Sequence, residues 1–217
     1  MPFLQSVNIG AARPINAKSG RSGIDKQPVT EPVSVRAPGP KGDGGAGIIG
    51  DKICDKPNHG GNDQAIYSYA REDLDAWERE LGRDLRSGMF GENLTTSGVD
   101  VTGALIGERW HIGSAVLEVT CPRIPCVTFE TWLQIPGWIK TFTRRAIPGA
   151  YLRILTPGQF QVGDPIRITD RPEHEVTIGL AFRAVTLEPD LLPLLLRADA
   201  FPQADKEQVR RRVAARS

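Results

Sequence analysis

The chain has no apolar run of the length that spans a bilayer, about 20 consecutive apolar residues. It also has almost no net charge. Its 27 Lys and Arg against 26 Asp and Glu leave +1, whereas nucleic-acid binders carry a strong basic excess. The one basic cluster, Arg210-Arg211-Arg212, reads as the solvated face of a terminal helix. Cysteine is scarce: three residues, an odd number, fit a reducing compartment with thiols free. The first residues, Met1-Pro2-Phe3-Leu4-Gln5-Ser6, lack the basic segment and apolar stretch of a secretory signal. These absences predict a cytoplasmic protein with no membrane or nucleic-acid partner. Internal repeats are missing too, as are flavin, haem and iron–sulfur motifs.

Glycine and proline are abundant, 23 and 17 residues. They punctuate short segments of β character at 3–9, 32–36, 47–53, 109–112, 115–120, 151–155 and 165–169. Strands of this length and spacing predict a mainly β fold, a barrel or a pair of packed sheets. One helix interrupts them over 69–81, where Leu74, Trp77 and Leu81 recur at helical spacing before Gly82. Shorter helical pieces are expected over 128–143, broken at Pro136-Gly137. After Glu175 the texture becomes helical, with segments at 177–186, 189–198 and 205–215. Leu191, Leu192, Leu194, Leu195 and Leu196 are too apolar for an exposed helix. This tail packs on itself, on the β domain or on a second copy in a homodimer. The expected division is a β-barrel domain over 1–172 and a three-helix extension over 173–217.

Gly42-Asp43-Gly44-Gly45-Ala46-Gly47 satisfies the dinucleotide fingerprint GxGxxG. That motif needs a helix opening directly after it, and Ile48 to Gly61 reads as no helix, so we take it as a flexible loop.

The segment Pro122-Arg123-Ile124-Pro125-Cys126 carries more chemistry. A thiolate is a nucleophile and a soft ligand for molybdenum, copper(I), zinc or iron–sulfur centres. Arg123 favours the thiolate and can hold phosphate or carboxylate. The two prolines restrict the backbone on either side. Packing alone accounts for most free cysteines, and Cys54 and Cys121, without such company, are read that way. A zinc site from Cys54, His59, Cys121 and Cys126 lacks closely spaced ligand pairs. Upstream, Gly60 and Gly61 beside His59 either serve a turn or let backbone N–H groups approach an anion. Asn93 is a turn former or an amide that both donates and accepts. Arg153 is a charge in an apolar strand that needs an anion or carboxylate partner if it faces inward.

The motifs at 59–65, 90–96, 122–126, 149–153 and 163–164, in this order, resemble the MOSC domain family, named for the C-terminal domain of molybdenum cofactor sulfurases. The spacing is similar to its YiiM-like bacterial branch, which carries a similar helical tail. The resemblance implies a β-barrel that binds the molybdenum cofactor, a pyranopterin dithiolene with a terminal phosphate. It implies Cys126 as molybdenum ligand, with His59, Gly60, Gly61, Asn93, Arg123 and Arg153 around the cofactor and His59 as proton donor. The activity implied is reduction of N-hydroxylated compounds, such as hydroxylamines and hydroxylated nucleobase analogues, with electrons from an external donor protein. A non-catalytic carrier of cofactor or sulfur, and a metal-free thiol enzyme, are the rival readings. One departure stands out: Ile147 occupies a position that is often basic in this branch, with Arg144 and Arg145 slightly upstream.

Overall fold

The structure, a computed structural model, describes residues 1–216. Its strands are β1 (Phe3–Gly10), β2 (Arg13–Pro14), β3 (Arg21–Ser22), β4 (Lys26–Val29), β5 (Val33–Val35), β6 (Ile66–Ala70), β7 (Leu94–Ser97), β8 (Arg109–Ile112), β9 (Ala115–Pro122), β10 (Ala150–Thr156), β11 (Gly158–Phe160) and β12 (Ile166–Thr169). Its helices are α1 (Arg71–Leu81), α2 (Val127–Leu133), α3 (Trp138–Arg145), α4 (Ile178–Thr186) and α5 (Gln203–Ala214).

Eight strands form one mixed sheet in the order β12-β8-β9-β10-β6-β7-β1-β4. All neighbours are antiparallel except β6 and β7. The sheet curls so that the start of β1 approaches β12: Phe3 bridges Pro165, and the Leu4 and Ile166 amides donate to the Asp164 and Pro2 carbonyls at 2.9 Å each. The fold is thus mainly β with helices, a curled mixed sheet that is compatible with a barrel.

The expected strands at 3–9, 32–36, 109–112, 115–120, 151–155 and 165–169 all form, within a few residues. The segment 47–53 does not. Ile48 makes only an isolated bridge to Val35, and Gly50, at φ 97°, turns the chain so that Asp51 points at Lys26. Tyr69 and Ala70, expected in the first helix, are the end of β6, whose five residues are all buried. Helix α1 then starts at Arg71, and Gly82 closes it at φ 63° with its amide on the Glu78 carbonyl, as read from sequence. The break between α2 and α3 falls at Gln134–Gly137, where Gln134 and Gly137 adopt φ 55° and 73°.

In the tail, Thr177 caps α4 through a 3.1 Å bond from the Leu180 amide. The middle segment, Pro189–Arg197, is a 3-10 helix and not an α-helix. Pro193 inside it lacks the N–H that an α-turn needs. The leucines do pack on the β domain: Leu192, Leu195 and Val209 join one aliphatic core with Leu4, Val119 and Leu152. A second, aromatic cluster lies under α1 to α3, built on Tyr69, Trp77, Phe90, Phe129, Trp138 and Phe142. None of the helices is long and apolar enough to cross a membrane, among the described residues.

Candidate active site

Where β9 ends, the chain leaves the sheet through Pro122 and Arg123 and enters α2 at Cys126, the residue just before its first turn. Cys126 is half-buried at the wall of a cleft of about 690 Å3, counting its open mouth. Burial alone would push its thiol up. A hydrogen bond from His59, the Arg123 charge and the Phe129 amide overcome that, and the pKa falls to about 7. The thiolate is therefore well populated at neutral pH, and it is the better nucleophile and metal ligand.

Arg123 is 6% exposed. Its guanidinium lies 3.9 Å from the centre of the Phe129 ring and 5.0 Å from that of Tyr67. It donates to the Phe90 carbonyl. Among the described residues it forms no ion pair with a carboxylate. Phe90 is held ready by its neighbour Glu92, fully buried, which accepts from the amides of Gly88 and Phe90 and from Thr95 Oγ1. Each motif thus supports the next: Glu92 fixes the loop, the loop carbonyl orients Arg123, and Arg123 favours the thiolate. A buried guanidinium without a carboxylate, beside a thiolate, suits an anionic ligand with a soft metal centre.

His59 comes from the loop before β6 and lines both this cleft and a second cavity beside it. Its loop is set by Gly60 and Gly61, at φ 81° and 78°. A Cβ on Gly61 would lie 2.7 Å from the Lys41 backbone, and one on Gly60 2.7 Å from the Gly45 carbonyl. The glycines therefore let this loop lie against the 41–45 loop. The Gly61 amide donates to Gly45, so it is not free for an anion. The GxGxxG segment is accordingly a packing partner for the His59 loop, and no helix follows it.

Asn93 lines the cleft, but its amide is a brace. Nδ2 donates to the Asn8 carbonyl and to Asp51, and Oδ1 accepts from the Tyr67 amide. Asp51 in turn pairs with buried Lys26 at 2.6 Å. Both Asn93 donors are thus committed to the fold.

Arg153 is not in the cleft. It pairs with Asp63 at 2.7 Å and Glu118 at 3.1 Å, and donates to the Ala200 carbonyl. Arg153 alternates with the core-facing Leu152 and Ile154, its charge is met by these two carboxylates, and it does not converge with His59, Asn93, Arg123 and Cys126. Ile147 faces the aromatic cluster, and its carbonyl accepts from Tyr69. Arg145 pairs with Glu80. A basic residue at 147 would meet this apolar packing.

Several cleft residues carried no signal in the sequence. Cys54, read as a packing residue, lines the cleft and is half-buried. Arg21 and Lys52 add positive charge at its rim, and Tyr67, Gln64 and Tyr151 form its wall. Tyr67 and Tyr151 were invisible because aromatic residues on buried strands read as core. All three cysteines are free thiols. Among the described residues there is no group of three or more His, Cys, Asp or Glu that could hold a metal ion.

Comparison with known proteins bears on this arrangement. The MOSC domain family matches residues 55–167, which include His59, Arg123 and Cys126. Among curated proteins, the chain is 29% identical over 180 residues to the uncharacterised YflK of Bacillus subtilis strain 168, covering 82% of this chain and 78% of that one. It is 28% identical over 128 residues to YiiM of Escherichia coli K12, covering 58% and 57%. A protein of Gibberella moniliformis named a reductase is 29% identical over 163 residues, 73% of this chain but only 29% of that protein. In fold, YiiM from Geobacillus stearothermophilus superposes with a TM-score of 0.79 at 26% identity, covering 98% of this chain and 99% of that one. The Escherichia coli YiiM structure gives 0.77 at 20% identity, covering 100% and 94%, a likeness of fold alone. The chain belongs to the MOSC domain family, and its likeness in sequence and fold runs to the YiiM branch.

Proposed function

We propose that this cleft binds the molybdenum cofactor through Cys126 and that the chain reduces N-hydroxylated compounds. The observation that carries the proposal is the group Cys126–His59–Arg123: a thiol held near neutrality beside a buried cation that has no carboxylate partner among the described residues. Family membership and the fungal relative named a reductase support it.

The residues fit such a group. Cys126 supplies the soft ligand and Arg123 the fixed positive charge; Arg21 and Lys52 at the rim suit a phosphate. Arg153, spent on Asp63 and Glu118, is left out of this set. When bound, the cofactor would supply a two-electron redox centre. The reaction balances as R–NHOH + 2e− + 2H+ → R–NH2 + H2O: the N–O bond breaks, and the oxygen leaves as water. Both electrons come from an external donor. His59, hydrogen-bonded to the Cys126 thiol and lining both cavities, supplies a proton to the leaving oxygen. Arg123 and the Phe129 amide hold the thiolate through the cycle.

The test is metal analysis of protein made in a cofactor-competent host, with turnover of hydroxylamines under an artificial reductant. Stoichiometric molybdenum with reduction is expected. Molybdenum without reduction of any substrate would leave a carrier, and absence of molybdenum from such protein would end the proposal.

A further inference from the structure

Two of the three cysteines line the same cleft. Cys54 and Cys126 both stand in its wall, half-buried, as free thiols. Cys121, 2% exposed in β9, is not among the lining residues. The function proposed above uses Cys126 and leaves Cys54 without a task. We propose that Cys54 is the resolving thiol of Cys126: a hydroperoxide oxidises Cys126 in the cofactor-free chain, and Cys54 then closes a reversible disulfide that shuts the metal site. The disulfide stands on the cleft alone, whereas its effect on metal loading rests on the proposed role of Cys126 as ligand.

Packing does not account for Cys54. A cysteine that only packs is a small apolar residue in a core. Cys126 rests against the aromatic cluster, but Cys54 belongs to neither hydrophobic cluster. Its companions in the cleft wall include Arg21, Lys52, Asp55, His59 and Gln64, which are charged or polar.

The chain brings Cys54 to this wall in a short span held at both ends. On one side, Asp51 accepts from the Gly10 amide at 2.7 Å, and the Lys52 amide donates to the Gly10 carbonyl at 3.0 Å. On the other, Gly60 and Gly61 lie against the 41–45 loop. Between these anchors the His59 amide donates to the Asp55 carbonyl at 2.9 Å, which folds the residue after Cys54 back on His59. His59 in turn hydrogen-bonds the Cys126 sulfur. One peptide turn and one imidazole thus link the two thiols. A disulfide needs Cα atoms about 4.4–6.8 Å apart. Among the described residues the Ile53 and Cys54 backbone groups make no hydrogen bond, so this span supplies the approach while its anchors hold.

Cys126 is the sulfur oxidised first. The His59 hydrogen bond and the Arg123 charge favour its thiolate, the form that attacks a peroxide. The first step balances as Cys126–S− + ROOH + H+ → Cys126–SOH + ROH: the O–O bond breaks, an S–O bond forms, and sulfur gives two electrons to the peroxide. The second balances as Cys126–SOH + Cys54–SH → Cys126–S–S–Cys54 + H2O: the S–O bond breaks, the S–S bond forms, and the oxygen leaves as water. A thiol reductant reverses it by exchange. Redox-sensing thiols are accessible and stand beside a resolving cysteine, which spares them the irreversible sulfinic acid. A sulfur held in a disulfide is no thiolate ligand for a soft metal, so the oxidised chain refuses the cofactor.

The experiment has two arms. In the first, the cofactor-free full-length chain is reduced, treated with hydrogen peroxide and blocked with N-ethylmaleimide, and its peptides are mapped by mass spectrometry without reduction. Wild type and Cys121→Ser are expected to form an intramolecular Cys54–Cys126 disulfide that dithiothreitol reverses. Cys54→Ser should instead carry a dimedone-trapped sulfenic acid on Cys126 and on the order of tenfold more Cys126 sulfinic acid, and Cys126→Ser should leave Cys54 unoxidised. Equal sulfenic and sulfinic yields on Cys126 with and without Cys54, or bridges only between chains, overturn the proposal. In the second arm, reduced and oxidised wild type are mixed with molybdenum cofactor released from a molybdoenzyme, and bound molybdenum is counted. The oxidised chain should hold about tenfold less than the reduced one, restored by dithiothreitol. A disulfide that forms yet leaves loading unchanged keeps Cys54 as the resolving thiol and overturns Cys126 as the metal ligand, and with it the shutting of the site. A reduced chain that takes up no molybdenum overturns the proposed function alone.

Discussion

Cys121 and Cys126 stand five residues apart and end up in opposite chemistries. Cys121 is the next-to-last residue of β9, 2% exposed, and burial pushes its thiol up to about 12. Its close polar neighbour is Thr120, whose hydroxyl lies 3.8 Å away. Cys126 is also penalised by burial, yet His59, Arg123 and the Phe129 amide bring it down to about 7. The difference lies in what the chain does between them. Pro122 ends the strand, Arg123 turns into the aromatic cluster, and Cys126 emerges at the cleft. A cysteine becomes reactive by the company its backbone path gives it and not by its place in the sequence.

The sharpest way to break the comparison is Cys126→Ser. A serine oxygen is harder and stays protonated, so it is a poor ligand for molybdenum. Reductase turnover should fall by on the order of 100-fold or more, beyond the losses typical of altered outer-shell partners. The thermal midpoint should barely move, because the volume change is small at a half-buried site. Cys121→Ser should retain turnover and bound molybdenum, and Cys54→Ser should too if that cleft-wall thiol only packs. Full activity in Cys126→Ser would falsify the ligand role.

The next test reads the two thiols directly. Alkylation by iodoacetamide should modify Cys126 with a rate that rises through pH 7 and levels above it, since the thiolate fraction saturates above the pKa. Cys121 should stay unmodified in the folded protein at any pH below its own, about 12. In His59→Ala, the first of the lowering causes is gone while the burial remains. The Cys126 midpoint must then rise, and its rate at pH 7 falls about tenfold for each unit of rise. An unmoved midpoint, measured by mass spectrometry across pH 5–10, would remove His59 from the thiol's surroundings.

A third variant acts on Cys126 through the loop that carries His59. Gly61→Ala places a Cβ 2.7 Å from the Lys41 backbone, at φ 78°, where side chains are strained. A loss of about 1–3 kcal/mol is expected from the strain and the displaced loop. The Cys126 midpoint should rise in the same direction as in His59→Ala, by less, while Cys121 stays silent. Unchanged stability together with an unchanged midpoint would show that the 41–45 loop gives way freely.

Much of this was legible in the chain. The strand pattern, the α1 stripe of Leu74 and Trp77, and the break at Pro136-Gly137 follow from local rules, and the structure follows them. Cys126, Arg123 and His59 were legible because a cation beside a cysteine, and paired glycines beside a histidine, are local arrangements. Tyr67, Gln64 and Tyr151 were not. They reach the cleft because the sheet sets β6 beside β10 and β10 beside β9, a pairing no local pattern states. Arg153 misled for the same reason. Its charge was visible, but the two carboxylates that take it come from β9 and from the turn before β6. Strand β6 itself was hidden, since Ile66-Tyr67-Ser68-Tyr69-Ala70 runs straight into the charged start of α1.

The smallest expected effect concerns Cys121→Ser, which isolates burial from chemistry. The thiol sits in the aliphatic core with Val119 and Leu152, where a small weakly polar group packs well. A hydroxyl there needs a strong hydrogen bond, and Thr120 Oγ1 already serves the Asp63 carbonyl at 2.6 Å and that of Tyr151 at 3.0 Å. The serine is left poorly satisfied, at a cost of about 1–2 kcal/mol. In a chain of this size that lowers the thermal midpoint by about 2–8 °C. The pH profile of Cys126 alkylation should be superimposable on that of the wild type. Calorimetry with the alkylation profile checks both halves. A shifted Cys126 profile in this variant would mean that the two thiols share one environment, and that the turn at Pro122 and Arg123 does not separate them.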